Sequence, residues 1–326
     1  MKIQRPRSKA VLWIAILASC FCTLFGQVAG LNWWVADLCS HWLVQYTLVT
    51  VVITLFAIIL IRDLRLVAVG LGLIFFQLSL LVSAGHDAPR VRVASSSDSI
   101  RVYVANIQMT QSQPQAVLDS INEADPDVIV LVEVFHSTFT ELDFTLSDRY
   151  TLAQHAAGPG AFGVALWCKT TVCQPDTNPH ITVHHFAGSI LPALELSLTQ
   201  HGKRLHMIGM HPFPPINHMY WISRNEQLQD MAETVRRRHE PTVIVGDLNN
   251  TPWSPTFQEV LRRGQLYDGR RGFGLQASWP QWLPSFLRLT IDQTIVTDPA
   301  MVQWRGLGKA TGSDHRPVVI DITPAL

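Results

Sequence analysis

The sequence predicts an α/β protein, a two-sheet sandwich flanked by helices and preceded by three membrane-spanning helices. Three observations carry that prediction. Residues 1–90 contain three long apolar runs without a charge, Val11 to Ala29, Trp42 to Ile61 and Leu66 to Ser83. Beyond the Ser-rich stretch at 95–99, short β-rich runs outnumber helical ones, which suits two packed sheets better than one doubly wound sheet. Polar residues also recur at the ends of those runs, where a buried strand meets solvent.

Each apolar run approaches the roughly 20 residues a helix needs to cross a bilayer. Trp33, Trp34 and Trp42 fall near the ends of the first two, where amphipathic rings favour the interface. The alternative is a buried hairpin in a soluble domain, but uncharged runs of this length are rare there. Spans are expected at about 11–29, 42–61 and 66–84, within an anchor over residues 1–90.

Charge sets the orientation. Lys2, Arg5, Arg7 and Lys9 precede the first run, Arg62 and Arg65 sit between the second and third, and 31–41 has no Lys or Arg. Positive-inside bias places the N-terminus and the second loop in the cytoplasm and residue 90 onward outside. Arg90 and Arg92 pull weakly the other way. Leu17-Ala18-Ser19-Cys20 looks like a lipoprotein cleavage box, but the apolar run continues past it, so an uncleaved helix is the simpler reading.

Residues 91–99 read as a linker, and 100–326 as the second domain. A strand is expected at Ile100 to Ile107, a helix at Gln113 to Glu123 stopped by Pro126, and a buried strand at Val128 to Val132. Further strands are expected at Phe162 to Trp167, Ile181 to His185, Leu194 to Leu198 and Leu205 to Met210. Pro212-Phe213-Pro214-Pro215 cannot join a ladder and must be a loop. A helix at Ile222 to Arg238 precedes a strand at Thr242 to Val245, and Val318 to Ile322 is the last strand. Cys168 and Cys173 flank a short turn, where an oxidising compartment would allow a disulfide; two free thiols are the alternative.

Composition narrows the partners. Of 25 basic and 25 acidic residues, 7 and 3 lie in the first 90, leaving 18 and 22, a net charge of about −4. That suits a non-specific nucleic-acid binder poorly. Four of the acids, however, belong to a candidate metal site.

Three polar signatures close the chain: Gly246-Asp247-Leu248-Asn249, Ile291-Asp292-Gln293-Thr294 and Ser313-Asp314-His315-Arg316-Pro317. Asn106, Glu133 and His211 end earlier strands. Hard carboxylate and amide oxygens at strand ends suit a divalent cation. Asp247 and Asn249 are two apart, so an extended backbone would point both to one side. Asp314 and His315 are adjacent and point differently, one towards metal and one towards a reacting phosphorus. Asp292 is the natural partner to fix the His315 tautomer.

These residues, in this order, resemble the endonuclease/exonuclease/phosphatase superfamily of metal-dependent phosphoesterases, over roughly residues 98–324. The N-terminal helices and the His-Pro-x-Pro-Pro loop followed by an Arg-Asn pair resemble a bacterial membrane-anchored subset. The resemblance implies a four-layer α/β/β/α (DNase I-like) sandwich with its site at one edge of the sheets. It implies Mg²⁺ or Mn²⁺ held by Glu133 with Asn106 and Asp314, water positioned by Asp247, and a phosphate oxygen held by Asn249. It further implies His315 as general base paired with Asp292, and His211 stabilising the pentacovalent phosphorus. Gln293-Thr294 departs from the family's usual His or Tyr plus aliphatic residue. Arg224 is a candidate phosphate contact, and Glu195 a candidate to orient His211. Trp279 and Trp282, set among prolines, are candidates for a substrate-binding rim that would stack on a base, cover a lipid chain or meet the membrane interface.

The expected function is therefore a phosphodiesterase or phosphatase anchored in the bacterial inner membrane, with its catalytic domain outside the cytoplasm. Its partners are the bilayer and a phosphoester, whether phospholipid, small diester or nucleic acid; no protein partner is legible. A nuclease is the alternative. A non-catalytic phospholigand-binding membrane protein is the alternative of another class, though a pure binder has no need of the Asp292–His315 pair.

Overall fold

The computed structural model describes residues 5–84, 99–108, 114–160, 162–200 and 202–324. It divides into two compact units. The first comprises Met1–His86 and Thr251–Gln258; the second comprises Asp87–Asn250 and Glu259–Leu326. The expected linker at 91–99 falls almost wholly outside the described residues.

In the first unit, α1 (Arg5–Ala29), α2 (Trp34–Ser40), α3 (Leu43–Phe56) and α4 (Leu64–Ser83) follow one another, and one π turn (Ala57–Ile61) prolongs α3. Lys9–Ala29, Leu43–Ile61 and Leu64–Ser83 are long and apolar enough to cross a membrane. The short α2 went unforeseen, because seven residues carry too little periodicity. Between the second and third spans, Arg62 adopts a left-handed conformation and Asp63 caps α4 by accepting from the Arg65 and Leu66 amides. Lys9 pairs with Asp63 at 2.5 Å, so the N-terminal end of α1 meets that turn. Polar side chains stitch the helices together. Gln77 Nε2 donates to Ser19 Oγ (3.1 Å) and Thr23 Oγ1 (2.9 Å), and Ser19 Oγ lies 2.9 Å from Thr50 Oγ1. Such bonds between polar side chains add cohesion to the contacts between apolar helices.

The second unit is a pair of six-stranded mixed sheets with flanking helices, the α/β/β/α sandwich. In chain order its elements are β1 (Ile100–Asn106), α5 (Pro114–Ala124), β2 (Val128–Val132), α6 (His136–Leu146), β3 (Tyr150–Ala156) and β4 (Val164–Lys169). Then come β5 (His180–His184), β6 (Ala193–Gln200), β7 (Lys203–Met210), α7 (His218–Arg238) and β8 (Thr242–Asp247). The chain closes with α8 (Pro255–Gly264), whose residues up to Gln258 belong to the first unit, and with β9 (Tyr267–Asp268), β10 (Asp292–Val296), β11 (Val302–Leu307) and β12 (Val318–Ile322). One sheet runs β11-β12-β1-β2-β4-β3, the other β5-β6-β7-β8-β10-β9. Cys168 and Cys173 form a disulfide at the end of β4.

Strand alternation assigns the faces. Val102, Val104 and Val130 turn inward with Leu194, Leu196, Met207, Val243 and Val245, forming the core between the sheets. Tyr103, Ala105, Ile129 and Leu131 turn outward onto Val117 and Ile121 of α5 and Leu142 of α6. Period-2 side chains on strands buried on both faces produce the near-continuous apolar runs of the sequence.

Register brings the polar strand ends together. β1 and β2 run parallel with Asn106 opposite Val132, so Asn106 and Glu133 share one edge. β7 and β8 are also parallel, which aligns His211 with Asp247. Asp247 pairs directly with Asp292 of the antiparallel β10. Val318 pairs with Val104 of β1, so the chain before β12, with Asp314 and His315, returns to the Asn106 end.

Candidate active site

The groups sit at the ends of β1, β2, β7 and β8, at the start of β10 and just before β12, and the local backbone is unusual there. Glu133, Asn249 and Gly246 have φ of 60°, 50° and 140°. Positive φ in a non-glycine residue is uncommon, and such conformations cluster at functional sites. At Gly246 glycine is obligatory, since a Cβ would stand 2.0 Å from the Met210 carbonyl oxygen.

The turn at Asn249 corrects one expectation. Asp247 and Asn249 do not share an extended backbone. Asp247 Oδ1 accepts the Asn249 amide at 2.9 Å, and the chain turns left-handed, a state Asn tolerates through local hydrogen bonding. The Asn249 side chain donates to the Pro212 carbonyl at 3.1 Å, which ties this loop to the one after His211.

At the centre, His315 Nδ1 lies 2.8 Å from Asp292 Oδ2, and its Nε2 faces Asp247 Oδ2 at 3.6 Å. Ligand atoms of Asp247, Asp292 and His315 all lie within 4.8 Å of one another. Asn106 Nδ2 donates to Glu133 Oε1 at 2.9 Å and to Asp247 Oδ2 at 3.2 Å. His211 Nε2 stands 3.6 Å from Asp247 Oδ2 and 3.9 Å from Glu133 Oε1. Asp314 Oδ2 accepts the Trp279 indole N–H at 2.8 Å, and its Oδ1 is 3.9 Å from His315 Nε2. The structure thus gathers Asn106, Glu133, His211, Asp247, Asn249, Asp292, Asp314 and His315 at one edge.

Burial and mutual charge set the protonation of this cluster. Burial alone would lower His315, but the carboxylates of Asp292, Asp247 and Asp314 outweigh it and push the ring to about 10. Burial, with Asp292 and Glu133 adding to it, raises Asp247 to about 7 against the pull of His315. Asp292 is buried too, yet its pairing with His315 holds it below the ordinary carboxylate range. Burial and the charge on His315 push His211 down to about 3, so its ring is neutral at physiological pH. Burial is the main cause of that rise at Asp247, and the carboxylates of Asp292 and Glu133 add to it, so the site carries an excess of negative charge. A hard divalent cation beside Glu133, Asp247 and Asp314 would redress that excess, and the oxygen-rich donor set fits such an ion.

The remaining candidates fall around this centre. Arg224 is fully buried; its Nη1 donates to the Asn249 carbonyl at 2.8 Å, while Nε and Nη2 donate to Asn225 Oδ1 at 3.0 and 2.8 Å. It braces the Asn249 loop from within the protein. Trp279 is half-buried, its ring 6.3 Å from that of His315, and Trp282 is 69% exposed. Glu195 does not reach His211. It holds His184 (2.8 Å) and His206 (2.7 Å) from the neighbouring strands and Arg238 (2.9 Å) from the end of α7 instead. Gln293, the family departure, is buried and donates to the Asn250 and Thr290 carbonyls, fixing loops beside the site.

Two supports were not legible in sequence. Arg305, buried in β11, donates to the Asp292 carbonyl at 2.7 Å and to Thr294 Oγ1 at 3.1 Å. Ser313 Oγ donates to the Asn106 carbonyl at 2.7 Å. A basic residue amid β-strand residues is a faint signal for the first; the second had none beyond its place in the motif.

A four-layer sandwich with acids, an amide and imidazoles at one edge defines the DNase I-like class of phosphoesterase fold. The family model described as "Endonuclease/Exonuclease/phosphatase family" matches residues 104–315. The chain belongs to that family, whose members act as phosphodiesterases, nucleases or phosphatases. Similar solved structures include a humanized D. rerio TDP2 (13% identity, TM-score 0.55, 70% of this chain and 100% of that one). A functionally unknown conserved protein from Enterococcus faecalis V583 is 16% identical (TM-score 0.55, 69% and 100%). The human Nocturnin catalytic domain with bound sulfate is 15% identical (TM-score 0.53, 71% and 97%). At these identities the likeness is one of fold. No curated protein matches the chain in sequence.

Proposed function

We propose that the chain is a membrane-anchored, extracytoplasmic phosphodiesterase that depends on Mg²⁺ or Mn²⁺. The observation that carries this is the buried Asp292–His315 pair, with His315 Nε2 directed at the Asp247 carboxylate. Asp292 holds the Nδ1 proton, so Nε2 is the atom that handles protons. Asp247, locked by the Asn249 amide, orients a water beside that nitrogen. Asn249 and the neutral His211 offer donors for phosphoryl oxygens without adding positive charge of their own. When bound, a divalent cation held by Glu133, Asn106 and Asp314 would polarise the phosphoryl oxygens and neutralise developing charge. Electrostatic stabilisation by preorganised groups is the main source of catalysis in such displacements.

Two observations support the location. Lys9 meets Asp63 at the end of the bundle that also carries Arg62 and Arg65, the positive end. The Cys168–Cys173 disulfide suits an oxidising compartment. The acidic catalytic region, and Trp282 exposed next to Gln281, whose amide donates to the Asp314 carbonyl, favour a lipid or small phosphodiester over nucleic acid.

The test is Mg²⁺-supported hydrolysis of an aryl phosphodiester by the full chain in detergent. Phospholipid vesicles and plasmid DNA are the comparison substrates. Activity lost in both His315→Ala and Glu133→Ala is expected. Undiminished activity in both variants would sink the mechanism. A C-terminal reporter active only in the cytoplasm would overturn the topology.

A further inference from the structure

Glu133, a carboxylate of the proposed metal site, sits on a backbone of unfavourable shape. Its φ is 60°, a conformation that a non-glycine residue keeps only where its surroundings impose it. Asn106 bonds the Glu133 carboxylate, but that contact orients the head group and not the turn beneath it. The turn is fixed through the next residue. Val134 is buried, its N–H donates to the Gly163 carbonyl at 3.2 Å, and its own carbonyl oxygen lies 3.0 Å from His155 Nε2. A carbonyl only accepts, so Nε2 carries the proton and donates it. Of the two bonds, the one from His155 is the shorter.

His155 comes from two strands away. β4 lies between β2 and β3, with Val164 opposite both Val132 and Ala156. Adjacent strands are about 4.8 Å apart, so β2 and β3 are separated by about 10 Å. A side chain joins them only where nothing stands in between. Gly163, the residue before β4, leaves that gap. A Cβ there would stand 2.1 Å from the Val134 oxygen and 2.9 Å from His155 Nε2. The bond therefore passes over a position that only glycine can occupy.

The ring is held from its side as well. It stacks on Phe139 with centroids 5.4 Å apart, and Phe139 stacks in turn on Trp167 at 5.0 Å. Burial, with the neighbouring His136 adding to it, holds His155 below the ordinary histidine range despite the bond to Val134. The ring is thus a neutral donor at physiological pH and brings no positive charge towards a cation site.

We propose that His155 is a positioning residue for the metal site. Its Nε2–H, donated across Gly163 to the Val134 carbonyl, holds the turn that aims the Glu133 carboxylate. The consequence for hydrolysis rests on the phosphodiesterase reading; the consequence for metal affinity is read without catalysis.

The test is Mn²⁺ binding to the full chain in detergent, followed by EPR of the free ion. It is run alongside Mg²⁺-supported hydrolysis of an aryl phosphodiester. His155→Phe keeps a ring against Phe139 and loses the donor. It is expected to weaken Mn²⁺ affinity about tenfold to a hundredfold and to raise the activating Mg²⁺ concentration by a similar factor. The kcat at saturating metal should be little changed. His155→Gln offers an amide N–H in place of Nε2–H and should restore most of the affinity, which a loss of ring packing alone would not allow. Should His155→Phe not fold, His155→Asn, too short to reach the Val134 carbonyl, carries the same expectation. Unchanged Mn²⁺ affinity in the folded variant would overturn the proposal. So would an affinity equally weak in His155→Gln. A wild type that binds Mn²⁺ yet hydrolyses no phosphoester would refute the hydrolase reading alone, and the affinity comparison would still decide the role of His155.

Discussion

Replacing Asp292 with Asn isolates the charge that organises the site. The two side chains have nearly equal volume, and Asp292 and His315 are only 2% and 5% exposed, so the cavity is unchanged while the carboxylate is lost. Removing one partner of a buried ion pair costs about 3–5 kcal/mol, and each ~1.36 kcal/mol in the barrier is tenfold in rate. If most of that loss falls on the transition state, kcat should drop between about 10² and 10⁴-fold. The assay is Mg²⁺-dependent hydrolysis of an aryl phosphodiester, paired with ¹⁵N NMR of His315 in the metal-free protein. The carboxylates raise the folded ring to about 10. Their stabilisation is therefore fully present below the unfolded His value, near 6.5, and is lost as pH rises through about 10. Asp292→Asn should pull the His315 titration downward and shrink the stability gap to wild type at alkaline pH. A kcat within about threefold of wild type, about 0.7 kcal/mol of barrier, would refute the orienting role. An unmoved His315 titration would refute the electrostatic account.

Other perturbations reach the same site from outside. Trp279→Phe removes the indole N–H from Asp314 and should weaken the activating Mg²⁺ concentration dependence about 10-fold or more, measured by metal titration of activity. Arg224→Lys cannot reproduce a planar fork that reaches both Asn249 and Asn225; a stability loss of about 2–4 kcal/mol by denaturant titration, with reduced kcat, is expected. Although Glu195 is buried, hydrogen bonds from His184, His206 and Arg238 hold it well below the ordinary carboxylate range. A depressed folded value means its stabilisation is present above the unfolded value and lost as pH falls through the folded one. Glu195→Gln should therefore destabilise the sandwich at pH 7, with the gap to wild type closing below about pH 4.5 in thermal melts.

Most of the site was legible because its residues end apolar strands. Asn106, Glu133, His211 and Asp247 each follow a run that packs on both faces, so strand and terminus announce each other. Several elements escaped, among them α6, α8, β10 and β11, and two show a reason. α2 has seven residues, and the half-exposed β3 alternates too weakly to stand out. Arg224 showed the right residue but not its use; whether a guanidinium meets a phosphate or a carbonyl depends on burial, which a helical periodicity does not report. Glu195 failed as an orienter of His211 for a related reason, since cross-strand neighbours in β5 and β7 are fixed only by register.

By itself, the sequence determined three apolar spans, their charge asymmetry, and a set of acids, amides and imidazoles in the order of one family. Those are local properties, set by composition, periodicity and spacing along the chain. Only the tertiary structure decided that Glu195 holds His184 and His206, that Asn249 turns left-handed, and that residues 251–258 lie on α2 rather than with the sandwich that flanks them in sequence. Each of those depends on which distant side chain fills the space beside a buried polar atom. Because a buried polar atom must find a partner, three-dimensional packing decides which one it gets.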